Sequence, residues 1–334
     1  MSKKWLLVPI ALGIAASGMT ESSLQGEYNN DFESDKKTLS DYSTMLLAGD
    51  VDNLADTAIN SVIDEGVGIS KSFLERYFPT VELGGLSMGG EKPQWNVLVV
   101  APLSDESDIH NTIFTQVSAN HKDDRTTLNL GLGYRSLSED KTTLLGINAF
   151  YDQELRYNHG RMSVGLEALS TMWEMRANKY VATTDWKTGR YGNQERALDG
   201  FDVEAGVPLP FMNWATVYVQ HFEWKTYGSV ADKEGQNLSL RARLPGALEG
   251  LEIEAGRSFF SGSTYSDESF VSVSYNITEL FKDKPRKNTT WFNNQAYKLE
   301  SMEDQRFQKV RRSNTIVKQI GTGSGGFATK VSGI

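Results

Sequence analysis

The chain has 334 residues, 43 acidic and 34 basic, and its net charge of −9 speaks against nucleic acid as a partner. It has no cysteine, which removes disulfide frameworks, thiolate metal sites and cysteine nucleophiles together. Hydrophobic residues make up 39%, and beyond the N-terminus no run approaches the roughly 20 consecutive apolar residues of a spanning helix. That still leaves room for a membrane barrel, in which only alternate residues are apolar.

In chain order, Lys3 and Lys4 precede an apolar run from Trp5 to Ala16, followed by the small residues Ser17 and Gly18. This is the order of a secretory signal peptide, expected over 1–18 with cleavage near Ser17 to Met19. Residues 19–79 are expected to form a periplasmic leader and an amphipathic helical region. Glu21–Ser40 is polar and rich in acids. From Asp41 to Phe78, Val51, Leu54, Ala55, Ala58, Ile59, Val62 and Ile63 recur at steps of three and four, and Ile69, Phe73, Leu74, Tyr77 and Phe78 resume the stripe before Pro79. The polar face carries Asp50, Asp52, Asp56, Asp64 and Glu65. Such a face suits docking beneath a barrel, or self-association in the periplasm, better than an anionic lipid surface.

After Pro79 the period becomes two. Leu128, Leu130, Leu132 and Tyr134 alternate with Asn129, Gly131 and Gly133; Phe201, Val203, Ala205 and Val207 alternate with Asp202, Glu204 and Gly206. Twelve segments of this kind are predicted, at 80–88, 93–102, 109–120, 125–138, 141–153, 158–169, 172–184, 198–207, 214–224, 236–244, 250–259 and 267–278. Alternation alone fits a soluble sandwich or a membrane barrel. Three features favour the barrel, which is expected over 80–278. Glycines in the polar phase (Gly131, Gly133, Gly146, Gly165, Gly206, Gly256) suit a crowded lumen. Trp95, Tyr151, Trp173, Phe201, Trp214, Trp224 and Phe259 cluster near strand ends, as interfacial girdles do. Short turns around Ser104–Ser107, Ser138–Asp140, Ser170–Thr171, Pro208–Asn213 and Pro245–Gly250 alternate with the longer loops Thr184–Ala197, Lys225–Gly235 and Ser261–Asp267. The short His121–Asp124 connection breaks this rule. The fold expected is therefore all-β: a twelve-stranded antiparallel transmembrane barrel preceded by a short amphipathic helical region, with both barrel ends at the periplasmic rim.

Candidate pore-lining charges are Glu174, Arg176, Asp202, Glu204, Arg241, Arg243, Glu252 and Glu254. They fit a network of cross-strand ion pairs that fills the pore and holds the segment that follows the barrel better than a selectivity lining. Beyond residue 278 the chain turns basic, with Lys298, Arg306, Lys309, Arg311, Arg312 and Lys318 among its cations. Charge attraction would draw this segment into an acidic lumen; spacing alone equally allows a periplasmic tail. Gly85-Leu86-Ser87-Met88-Gly89 fits a hydrolase-elbow pattern but lacks the strand–turn–helix context, and His110, His121, His159 and His221 show no metal-ligand spacing. His121 and His159 are expected as solvated loop residues. No catalytic residue, metal or cofactor is expected, and no phosphate-binding loop is present to couple nucleotide hydrolysis to export.

Four motifs in order are similar to those of the intimin and invasin β-domains, the inverse autotransporters: GVGISKSFLERYFPTVELGGLSMGG (66–90), GINAFYDQEL (146–155), LDGFDVEAGVPLP (198–210) and EDQRFQKVRRSNTIV (303–317). The resemblance implies an outer-membrane barrel with a periplasmic N-terminus. It also implies a segment after the last strand that threads back through the pore, partly as a short helix, and delivers a C-terminal passenger to the surface. Carried onto this sequence, the pore linker is expected within 279–320, around Tyr297–Val317, with Tyr297, Arg306, Phe307, Arg311 and Arg312 as its candidate residues. Residues 321–334 are read as a short Gly-rich tail without a passenger. The function expected is a translocator; the alternative is a passive transport or structural barrel with a periplasmic tail. Expected partners are outer-membrane lipid, the barrel-assembly machinery and periplasmic chaperones, with no assignable surface receptor.

Overall fold

The computed structural model describes residues 78–84, 94–228, 230–262, 264–280, 291–321 and 330–332. The expected signal peptide, the helical region up to residue 77 and the Ser87 motif lie outside the described residues.

Sixteen strands are described: β1 (Thr80–Gly84), β2 (Trp95–Pro102), β3 (Asn111–Lys122), β4 (Arg125–Leu137), β5 (Leu144–Glu154), β6 (Gly160–Leu169), β7 (Glu174–Ala182), β8 (Lys187–Thr188), β9 (Gln194–Ala197), β10 (Asp199–Leu209), β11 (Met212–Lys225), β12 (Lys233–Arg243), β13 (Leu251–Phe260), β14 (Glu268–Asn276), β15 (Lys318–Gly321) and β16 (Lys330–Ser332). Twelve of them, β1–β7 and β10–β14, close into one antiparallel barrel, sealed where Glu82, Leu83 and Gly84 of β1 face Asn276, Tyr275 and Ser274 of β14. Closure leaves no unpaired edge, which is the condition for a sheet to sit in hydrocarbon.

Burial is inverted relative to a soluble protein. Leu132 and Leu166, on the outer face, are 55% and 61% exposed, whereas Arg135 and Arg161 are fully buried. Along β4 the inward phase reads Arg125, Thr127, Asn129, Gly131, Gly133, Arg135 and the outward phase Leu128, Leu130, Leu132, Tyr134. Water offers no stabilisation to an outer face of this kind; lipid does, and this is an outer-membrane β-barrel. The inward glycines are sites of close approach. A methyl group at Gly131 would stand 2.1 Å from the Phe150 ring, and one at Gly133 2.2 Å from Phe114. The missing side chains let these rings lie flat on the wall.

The two rims differ. One carries the turns β2–β3, β4–β5, β6–β7, β10–β11 and β12–β13, and also the start of β1 and the end of β14. The other carries the longer loops, among them 183–198. The short β3–β4 connection belongs to this long-loop rim. Asp123 and Asp124 both adopt positive φ (55° and 59°), the two-residue hairpin geometry that aspartate tolerates.

Two expectations are corrected here. Trp224 does not join an outer girdle: it points inward, 2% exposed, and packs with Tyr180, Leu198, Phe222 and Val317. The Thr184–Ala197 stretch is not plain loop. It folds into the β8–β9 hairpin, which belongs to a second sheet of order β16-β15-β9-β8. Those two strands are too short and polar to show a period; β8 pairs with β9, and β9 with β15.

Candidate functional site in the barrel lumen

The described C-terminal segment runs along the axis of the barrel from one rim to the other. It starts across the short-turn rim, where the Trp214 indole N–H donates to the Trp291 carbonyl (2.8 Å). Phe211 N–H donates to Ala296 O (2.9 Å) and Met302 N–H to Lys141 O (2.7 Å). The Arg306 guanidinium then caps the entrance, donating to the carbonyls of Asp108 (3.2 Å) and Glu106 (3.3 Å) and to Thr112 Oγ1 (3.3 Å).

Residues 307–317 lie inside the barrel, and apart from one 3₁₀ turn at Glu303–Gln305 the described segment between Trp291 and Val317 has no regular structure. An extended chain buried in the lumen has no ladder of its own, so its backbone groups must find other partners. The wall does this with side chains. Thr80 Oγ1 donates to Phe307 O (2.8 Å), and Arg135 donates to Arg306 O (2.7 Å) and Gln308 O (2.6 Å). Gln116 accepts from Val310 N–H (2.7 Å). Tyr180 Oη accepts from Ser313 N–H (2.8 Å), while Arg161 donates to Ser313 O (2.6 Å) and Asn129 to Asn314 O (3.0 Å).

Charge matching is superimposed on this backbone cradle. Arg312 is bidentate on Asp152 (2.9 and 2.6 Å), with its guanidinium 4.5 Å above the Phe150 ring. Lys309 meets Glu82 (2.6 Å) and Glu252 (3.1 Å), Arg311 pairs with Glu252, and Lys318 pairs with Glu154. Apolar residues fill the gaps: Met302 packs with Leu137, Leu144 and Leu169, and Phe307 and Val310 pack with Leu98, Val100, Phe114 and Phe150. Buried pairs of this kind gain little net stability over apolar packing but are costly to break singly, so they fix one register of the segment against the wall.

Of the wall charges named from sequence, Arg176 bridges Glu174 (2.7 Å) and Glu204 (3.0 Å). Arg241 bridges Glu204 (3.1 Å) and Glu254 (2.8 Å), and Arg243 meets Glu174 (3.2 Å) and Glu252 (3.3 Å). They form one wall-to-wall network. Asp202 instead accepts from Tyr180 Oη (2.6 Å) and Asn178 (2.8 Å). Within the named set, Glu252 is the one that ion-pairs with the segment inside. Glu82, Asp152 and Glu154, which carry the remaining contacts, were not singled out. Their inward phase was readable, but which carboxylate meets which linker cation depends on the path of a segment with no period.

Of the linker candidates, Arg306, Phe307, Arg311 and Arg312 lie at the positions just described. Tyr297 does not: it is 44% exposed on the short-turn rim, outside the lumen, because the chain turns inward only at Arg306. His159 is also corrected. It is fully buried, with Nε2 3.6 Å from Glu195, while His121 sits at the end of β3 stacked on Trp95 (5.3 Å).

The inverse autotransporter β-domain family model matches residues 23–314. A putative attaching and effacing protein homolog of Escherichia coli (strain K12) is 35% identical over 102 residues, 30% of this chain and 34% of its own length. Invasin of Yersinia enterocolitica is 25% identical over 186 residues, 55% of this chain and 21% of its own. Intimin of Escherichia coli O111:H- is 23% identical over 278 residues, 80% of this chain and 28% of its own. The matches thus span about a third or less of these relatives. A solved structure from a study of in-meso crystallization of membrane proteins shares the fold, with TM-score 0.58 and 19% identity over 73% of this chain and 99% of that one. The closed barrel, its lipid-facing exterior and the match over most of its length agree: the chain belongs to the inverse autotransporter β-domain family.

Proposed function

We propose that this barrel is a translocator that carries its own C-terminal segment from the periplasm to the cell surface, with the short-turn rim in the periplasm and the long-loop rim outside. The observation that carries this reading is the continuous path from Trp291 at one rim to β15 at the other, with the backbone of residues 306–314 held by wall side chains along the way. Backbone recognition is indifferent to side-chain identity, so a wall built to solvate an extended chain suits the passage of many sequences. The ion pairs of Lys309, Arg311 and Arg312 then mark where passage stops. Whatever follows the linker would be displayed outside, and a relative named an inverse autotransporter adhesin in Escherichia coli (strain K12) makes an adhesive passenger the natural cargo of such a barrel.

The test is an epitope after Ile334 and protease added to intact cells. Cleavage on intact cells supports translocation, and an epitope reached only after the outer membrane is permeabilised contradicts it. In planar bilayers a passive pore would conduct as purified. A barrel filled by its linker is expected to be nearly closed, and to open when residues 302–334 are deleted.

A further inference from the structure

Where the segment leaves the lumen, it does not simply enter solvent. Residues Lys318–Gly321 add as an antiparallel strand to β9, with Lys318 facing Ala197, Gln319 facing Arg196, Ile320 facing Glu195 and Gly321 facing Gln194. Leu198 N–H donates to Val317 O (3.0 Å), so the pairing begins at the mouth of the barrel.

The edge that receives this strand is held rigidly by the barrel itself. Glu195 of β9 is fully buried and takes a fork from Arg125 of β4 (2.8 and 2.7 Å) and the Arg190 N–H (2.9 Å). Arg125 also meets Glu154 of β5 (3.0 Å), and Glu154 in turn pairs with Lys318 of the incoming strand. On the other side, the Gln319 side chain behaves as a second backbone. Its carbonyl oxygen accepts from Tyr227 N–H (2.7 Å) and its amide donates to Tyr227 O (3.0 Å), in the loop between β11 and β12. Gln319 is 3% exposed and Lys318 4%. Arg196 lies 3.6 Å over the Tyr227 ring, tying the two loops together.

We propose that the β8–β9 hairpin is a receiving edge that captures the emerging chain by strand addition and latches it against return, while Glu154 of the wall and the Tyr227 backbone of the β11–β12 loop recognise its Lys318 and Gln319 side chains. This deepens, and rests on, the translocator reading. Main-chain pairing supplies attraction for any emerging segment, and the two side-chain contacts select one register. A chain that has zipped onto a barrel-anchored edge must break those contacts before sliding back, which gives direction to a step that has no nucleotide to drive it.

The absence of native cysteine makes the latch directly testable. Gln194 and Gly321 face each other, and a Cβ at Gly321 meets its nearest neighbours, Gln194 O and Trp186, at 3.7 Å, an ordinary contact. Facing residues of an antiparallel pair are within disulfide reach. In whole cells the Gln194→Cys/Gly321→Cys protein, carrying the epitope after Ile334, should be mostly cross-linked. Thr188→Cys/Gly321→Cys, one strand further away at roughly 10 Å, should stay reduced. Adding Lys318→Ala and Gln319→Ala should lower the cross-linked fraction at least fivefold. Gln319→Glu, which keeps the shape but loses the donor to Tyr227 O, should lower it at least twofold. An accessible epitope with a reduced Gln194→Cys/Gly321→Cys pair would overturn the latch alone, as would variants that cross-link like the parent. An epitope inaccessible on intact cells would sink the translocator reading together with the latch.

Discussion

Asp152 is the pivot of the linker's docking, and the two ways of breaking it should differ in a predictable order. It accepts from Arg312 on both oxygens, from Arg161 (2.8 Å) and from Asn129 (2.6 Å), and the side chains of all of them are buried. Removing one partner of a buried ion pair costs about 3–5 kcal/mol, chiefly because the other charge is left uncompensated. Arg312→Met leaves Asp152 with Arg161 and Asn129 still in place, so the loss falls below that range, at about 2 kcal/mol, or roughly 30-fold in the docking equilibrium. Asp152→Asn leaves two guanidinium groups buried against a neutral amide, so the loss falls near about 4 kcal/mol, or several hundred-fold. Hydrogen exchange of the amides of residues 307–317 in detergent-solubilised protein reads this as protection lost by local opening. The reasoning is refuted if Asp152→Asn loses no more protection than Arg312→Met, or if neither changes it.

Three further outcomes follow from the same structure. Leu132→Arg, on the lipid face, should cost about 2–4 kcal/mol in barrel stability measured in bilayers; a neutral result would mean that this face meets water. Gly131→Ala should destabilise by about 1–3 kcal/mol through the clash with Phe150, and Phe150→Leu in the same chain should recover part of that, read from thermal melts of both variants. Burial alone would raise the Glu195 carboxyl, but the neighbouring His159 ring, hydrogen bonds from Arg125 and the Arg190 N–H, and the charge of Arg125 hold it down to about 2. A carboxylate depressed in the folded state stabilises above its unfolded value of about 4.3 and loses that contribution as pH falls toward its folded one. Protection of the Lys318–Gly321 amides should therefore decline between about pH 4.5 and 2, with Glu195→Gln removing the part of the decline due to this group.

The wall was legible in the sequence and its occupant much less so, for one physical reason. A barrel strand must alternate, because one side meets lipid and the other a crowded interior, so Leu128 to Arg135 declares both its strand and its inward set. Boundaries were less secure: the predicted 236–244 is Lys233–Arg243, since Lys233, Glu234 and Gly235 continue the ladder ahead of the first apolar residue. Residues 306–317 carry no period because their contacts run in all directions inside the lumen. Their cations suggested an acidic destination, but Asp152, Glu154 and Glu82 become partners only once the strands are placed around the axis. Trp224 misled for a similar reason. Tryptophan at a strand end reads as interfacial, but its even position in β11, with Tyr218 and Phe222, turns it inward.

Passage of the chain between the rims requires the two rims to face opposite sides of the membrane. Single cysteines in this cysteine-free chain, labelled on intact cells with a membrane-impermeant maleimide, test that directly. Tyr191→Cys, in the long-loop hairpin and 85% exposed, and a cysteine after Ile334 should both label, and Lys298→Cys on the short-turn rim should label only after the outer membrane is opened. Labelling of Lys298→Cys and the C-terminal cysteine together, from whichever side, would contradict passage through the pore.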